Sequence, residues 1–132
     1  MSGDPRYPTL DDAVALATAF LGEPPEVRDW GMLQAALDRP RTTLFGADAY
    51  PELADKAGAL LHSLARNHPL IDGNKRLAWI SVKYLVRLNG HNIHLPSTDD
   101  GYDLVISAAE GTADAAGLSR TIGGWMRPLP QR

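Results

Sequence analysis

Arg66-Asn67-His68-Pro69-Leu70-Ile71-Asp72-Gly73-Asn74-Lys75-Arg76 lies between two apolar helical patterns and concentrates polar chemistry as no other part of the chain does. Upstream, Leu53, Ala57, Leu60, Leu61 and Leu64 recur at helical spacing and predict an amphipathic helix to about Ala65. Pro51 suits the first position of that helix. Downstream, Asn74 is a candidate cap for another helix, in which Leu77, Ala78, Ile80, Ser81, Tyr84, Leu85 and Leu88 lead to an Asn89-Gly90 stop. Apolar residues cover much of this second helix, which predicts a central position. A helix-loop-helix is the expected frame.

The remaining chain reads as scaffold around it. Thr9-Leu10-Asp11-Asp12 predicts a capped helix start, and the pattern Leu16, Ala17, Phe20 runs to Gly22. Asp29 is a candidate cap for a short helix carrying Trp30, Leu33 and Leu37, ended by Pro40. Arg41 to Tyr50 has no helical period, and Arg41-Thr42-Thr43-Leu44-Phe45 followed by Gly46 predicts a short hairpin, either a flap or an ordinary connector. His91 to Pro96 reads as a connector. Ser97 caps an acidic-headed helix through Tyr102, Leu104, Val105 and Ala108 to Gly111, and a last helix spans roughly Asp114 to Met126. The expectation is one all-α domain over residues 1–132, with about six helices and terminal tails at 1–8 and 128–132.

Composition narrows the function classes. The chain is 44% hydrophobic and 22% charged with a formal charge of −3, a globular composition that argues against broad nucleic-acid or anionic-membrane binding. There is no cysteine, which excludes disulfides, thiolate catalysis and Cys-type zinc sites and suits a reducing cytoplasm. No apolar run is long enough to span a bilayer.

The loop chemistry is specific in combination. His68 carries the one side chain whose ordinary pKa lets it take a proton near neutral pH. A lone carboxylate, Asp72, suits a hard divalent cation that keeps most of its water. Gly73 permits positive φ or close backbone approach. The amides of Asn74, Lys75 and Arg76 fall at a helix N-terminus, where the dipole favours anions. Lys75 and Arg76 add positive charge there, slightly against the dipole, as a site for an anionic ligand would. Base, metal ligand and anion cradle together describe phosphate-group transfer from a nucleotide to a hydroxyl.

The run His68-Pro69-Leu70-Ile71-Asp72-Gly73-Asn74-Lys75-Arg76 resembles the Fic signature, and more closely its Doc (death-on-curing) branch. Arg66 ahead of the motif, the Leu85-Val86-Arg87-Leu88-Asn89-Gly90 helix end and the capped helix after Ser97 extend the similarity from Thr9 to Met126. The resemblance implies the Fic fold, His68 as general base and Asp72 as the Mg²⁺ ligand. It implies that Gly73, Asn74, Lys75 and Arg76 bind nucleotide phosphates, with Arg66 a further contact. Most Fic enzymes have glycine at the position of Lys75 and transfer AMP. Doc proteins share the substitution and resemble kinases that use Mg²⁺ with ATP to phosphorylate a threonine of elongation factor Tu. Leu70 stands where the motif usually has Phe and is expected to serve as the loop's apolar anchor.

By the same resemblance, Thr42, Thr43, Leu44 and Phe45 match the flap that holds a target segment by strand addition. No [ST]xxxE[GN] inhibitory helix is present; Ser107-Ala108-Ala109-Glu110-Gly111 has its serine one residue too close. Restraint is therefore expected from a separate Phd-like antitoxin. The alternatives are an AMP transferase and an idle Fic-fold binding partner of an antitoxin. Elsewhere, His62 reads as a packed or surface residue, and His91 with His94 lacks a nearby third metal ligand. Trp30, Trp79 and Trp125 read as core. Asp99, Asp100 and Asp103 read as a helix start rather than a calcium loop.

Overall fold

The computed structural model describes residues 3–130; Met1, Ser2, Gln131 and Arg132, the outermost parts of the two expected tails, lie outside the described residues. Six α-helices are present among them: α1 (Leu10–Leu21), α2 (Trp30–Asp38), α3 (Leu53–Asn67), α4 (Asn74–Leu88), α5 (Thr98–Glu110) and α6 (Ala115–Trp125). Four short strands complete the fold: β1 (Thr43–Leu44), β2 (Ala47–Asp48), β3 (His91–Ile93) and β4 (Met126–Pro128). The mainly helical class is as expected.

Local chemistry sets most helix ends. The Thr9 hydroxyl accepts from the Asp12 amide while Asp12 accepts from the Thr9 amide, a reciprocal cap for α1. Asp29, Ser97 and Asp114 accept from Met32, Asp100 and Gly117 amides at the starts of α2, α5 and α6. Gly22, Gly90 and Gly111 take the left-handed conformation just beyond α1, α4 and α5. Pro51 is not the first residue of α3: Leu53 is, with Asp55 accepting from the Glu52 amide.

Helix α3 occupies the centre, more than α4. Lys56 to Leu61 and Ser63 to Ala65 are all buried, whereas α4 leaves Lys75, Arg76, Lys83 and Arg87 exposed. Small residues make this possible. A Cβ on Gly58 would overlap the Ser119 hydroxyl and stand 2.7 Å from the Ala115 carbonyl oxygen, so α6 crosses α3 in backbone contact. Leu60, Leu61, Leu64, Leu77, Val82, Leu85, Leu118 and Ile122 fill the core around this crossing.

Three expectations need correction. The segment after α4 is not a plain connector, because β3 pairs antiparallel with β4 in the register His91↔Pro128, Asn92↔Arg127, Ile93↔Met126. The described parts of the tails are likewise tied down: Leu129 donates to the Gly90 carbonyl, and Arg6 exchanges two backbone bonds with the Asn89 side chain. Trp30 is half exposed, at 53%, since it begins α2 beyond the end of the buried stripe Leu33, Ala36, Leu37. Trp79 and Trp125 do pack against the core.

Candidate active site

The loop from His68 to Gly73 joins the end of α3 to the start of α4. Pro69 disfavours the α-helical region for the residue before it, so α3 stops at Asn67, two residues past the expected end. His68 takes the turn, with φ 49° and ψ 56°. A left-handed conformation costs a residue with a Cβ about 1–2 kcal/mol, and such strain persists where the surroundings enforce it.

Those surroundings hold the loop on two sides. From outside, the Arg28 amide donates to Pro69 O at 2.8 Å and the Ile71 amide donates to Glu26 O at 3.0 Å. From inside, Asn74 Oδ1 accepts from the Leu70 amide at 2.8 Å and Nδ2 donates to Leu70 O at 2.9 Å. Leu70 itself is fully buried in the core, the anchoring place expected of it. Asn74 is therefore not the helix cap: Gly73 is, at φ 89°, and it offers no side-chain acceptor to the first turn. The amides of that turn are left facing outward at a helix start, beside Lys75 and Arg76.

A cavity of about 350 Å³, within the range of ligand sites, opens over this turn. His68, Asp72, Gly73, Asn74, Lys75 and Arg76 line it. Its far wall is Phe20 and Leu21 from the end of α1, with Ile71 at the rim. Arg76 places its guanidinium over the Phe20 ring at 5.2 Å from the centroid. A Cβ on Gly73 would stand 3.0 Å from that ring, so glycine serves both the positive φ and the close approach. Phe20 belongs to the apolar pattern of α1, and its role as a wall depends on where α1 ends relative to α4.

One expected contact falls elsewhere, and the expected target-docking flap lies apart from the cavity. Arg66 does not line the cavity; its Nη1 donates to Ala109 O at 3.1 Å, and the guanidinium lies against Gly111 at the end of α5. A cation there meets the free carbonyls and negative dipole of a helix C-terminus. Thr42, Thr43, Leu44 and Phe45 also lie outside the cavity wall, on a separate exposed hairpin. In that hairpin Thr43 pairs with Asp48 and Leu44 with Ala47, Phe45 and Gly46 turn at positive φ, and Phe45 is fully exposed.

The other candidates have local partners. His62 Nδ1 is 2.7 Å from Arg39 Nη1, and burial, with Arg39 and then Arg66 nearby, lowers its pKa against an opposing effect of Asp114. His91 Nδ1 lies 3.0 Å from Asn89 O. Among the described residues no cluster of three His, Asp or Glu side chains could hold a metal ion, and no helix is long and apolar enough to cross a membrane. Asp99 and Asp100 lie in the first turn of α5.

Comparison with known proteins identifies the family. Toxin Doc of Mycolicibacterium smegmatis (strain ATCC 700084 / mc(2)155) is 39% identical over 121 residues, covering 91% of this chain and 93% of that protein. The match to the Fic/DOC family runs over residues 7–86, from before α1 through the hairpin and the loop into α4. By that span, and by that similarity along most of its length, the chain belongs to the Fic/DOC family.

Proposed function

We propose that this chain is a Doc-type toxin and acts as a protein phosphotransferase, with ATP as the donor and a threonine of elongation factor Tu as the acceptor. One observation carries the reading: His68, Asp72 and the outward-facing first turn of α4 share a single cavity. In the proposed step the threonine oxygen bonds to the γ-phosphorus as the bond from phosphorus to the β,γ-bridging oxygen breaks. ADP leaves, and the hydroxyl proton passes to the His68 ring. The first-turn amides with Lys75 and Arg76 hold the phosphates and offset their charge.

Asp72 would hold Mg²⁺. An exposed carboxylate that belongs to no cluster of three or more acidic or imidazole groups among the described residues fits an ion bound mainly through water and phosphate oxygens. When bound, Mg²⁺ neutralises charge on the phosphate oxygens. Lys75 supports phosphoryl over AMP transfer, because its Cβ and long side chain occupy the place where glycine would leave the backbone open. A Phd-like antitoxin is the proposed restraining partner, and arrest of translation in the cytoplasm the proposed outcome.

The test is incubation with ATP labelled at either the α or the γ position and elongation factor Tu. Label moving to the protein from the γ position alone is expected. Transfer of α-label would mean AMP transfer. His68→Ala should abolish the reaction while leaving the fold and antitoxin binding intact; unchanged toxicity in that variant would make the chain an idle binding protein. Asp72→Asn should raise the Mg²⁺ concentration needed for half-maximal activity.

A further inference from the structure

Lys56 is only 2% exposed, on the central helix, and the proposed chemistry makes no use of it. Lysine is almost never fully buried without partners. Here the partners are oxygens: Nζ donates to Tyr50 O at 2.6 Å, and lies 3.5 Å from both Pro40 O and Asp48 Oδ2. The Tyr7 ring covers it with its centroid at 5.7 Å. Pro40 precedes the β1–β2 hairpin, Asp48 is its last strand residue and Tyr50 follows it. The ammonium thus sits between the two feet of the hairpin.

Packing alone does not require this charge. An apolar side chain of similar length would fill the same space without desolvating an ion, and such replacements are often neutral or stabilising. The ammonium adds direction, because it bonds oxygens on both segments at once. The hairpin needs that direction, since both strands are exposed and a two-stranded ribbon is marginal by itself. Burial does not fix its angle. Arg39 reinforces the same joint, donating to the Tyr50 hydroxyl and to Ser63 Oγ on α3, each at 3.0 Å.

We infer that Lys56 is a positioning residue: it joins both feet of the exposed hairpin to the helix that leads into His68, and so fixes where the hairpin presents a protein segment to the site. The docking role of the hairpin rests on the function proposed above, but the clamp can be tested separately. Because the chain has no cysteine, Phe45→Cys with Asp103→Cys takes a nitroxide pair reporting the hairpin against α5. Adding Lys56→Met should broaden the distance distribution measured by pulsed electron resonance and leave the melting curve near that of the parent. In the unlabelled protein, Lys56→Met should raise KM for elongation factor Tu about tenfold with kcat unchanged, because a hairpin that holds the docking position only part of the time weakens binding by that fraction.

A distance distribution equal to the parent's would overturn the inference. Should Lys56→Met not fold, Asp48→Ala removes one partner at an exposed position and should broaden the distribution less; no broadening there would overturn it equally. Leu44→Ser separates the two ideas. An unchanged KM in Leu44→Ser removes the docking role of the hairpin while the distances still decide on Lys56. A raised KM in Leu44→Ser beside an unchanged KM in Lys56→Met overturns the positioning role with the docking role standing.

Discussion

Asn74 grips Leu70 by both of its backbone polar groups, the amide at 2.8 Å and the carbonyl at 2.9 Å. Because Leu70 is also buried in the core, the first residue of α4 is stapled through it to the interior. The cavity floor is thereby preorganised before any ligand arrives, which is what positioning for transfer requires. Asn74→Ala should leave two backbone groups unpaired and cost about 1–3 kcal/mol of stability, read by urea unfolding. Asn74→Asp keeps the bond from the Leu70 amide but sets a second acceptor against the Leu70 carbonyl, so it should not restore the parent's stability. A variant as stable as the parent would show that the outer clamp from Glu26 and Arg28 suffices.

His68 should show a conflict between stability and activity. Its left-handed conformation is one that glycine adopts without strain. His68→Gly should therefore match or exceed the parent in stability, by up to about 1 kcal/mol, while losing phosphate transfer. A variant that is both unstable and inactive would mean that the ring packs rather than reacts.

Glycines at matched φ separate strain from contact. Gly22 and Gly73 have φ of 82° and 89°, but a Cβ meets nothing within 4 Å at Gly22 and the Phe20 ring at 3.0 Å at Gly73. Gly22→Ala should cost about 1–2 kcal/mol from backbone strain alone. Gly73→Ala should cost more, and the excess should shrink in a Phe20→Leu background. Gly58→Ala, at the backbone contact of α3 with α6, should lower the melting temperature most of the three, since neither helix can withdraw cheaply from overpacking of about 1–3 kcal/mol.

His62 gives a pH dependence with a definite sign. Burial first, then the positive charges of Arg39 and Arg66, lower its pKa in the folded state below the ordinary histidine value of 6.5. The unfolded chain therefore binds the proton more readily, so the contribution of His62 is complete above 6.5 and is lost as pH falls through the lower, folded value. Urea unfolding of the parent should weaken between about pH 7 and pH 5 more than that of His62→Gln. Equal slopes would show that the Arg39 contact does not hold the imidazole neutral.

Much of this molecule was decided locally and could be read from the chain. Thr9, Asp29, Ser97 and Asp114 cap helices, and Gly22, Gly90 and Gly111 end them, because capping needs only a side chain and amides two or three residues away. The convergence of His68, Asp72, Lys75 and Arg76 was equally legible, since one short loop carries all four. What the tertiary structure alone decided involves partners distant in sequence. Asn74 turned from helix cap to loop staple, Arg66 left the site for the end of α5, and Phe20 became the cavity wall. The tail found a strand partner at His91–Ile93, and Lys56 became buried beneath the hairpin. Spacing along a chain fixes which face a side chain takes on its own helix; which element meets that face follows from how the helices pack, and small residues such as Gly58 set that packing.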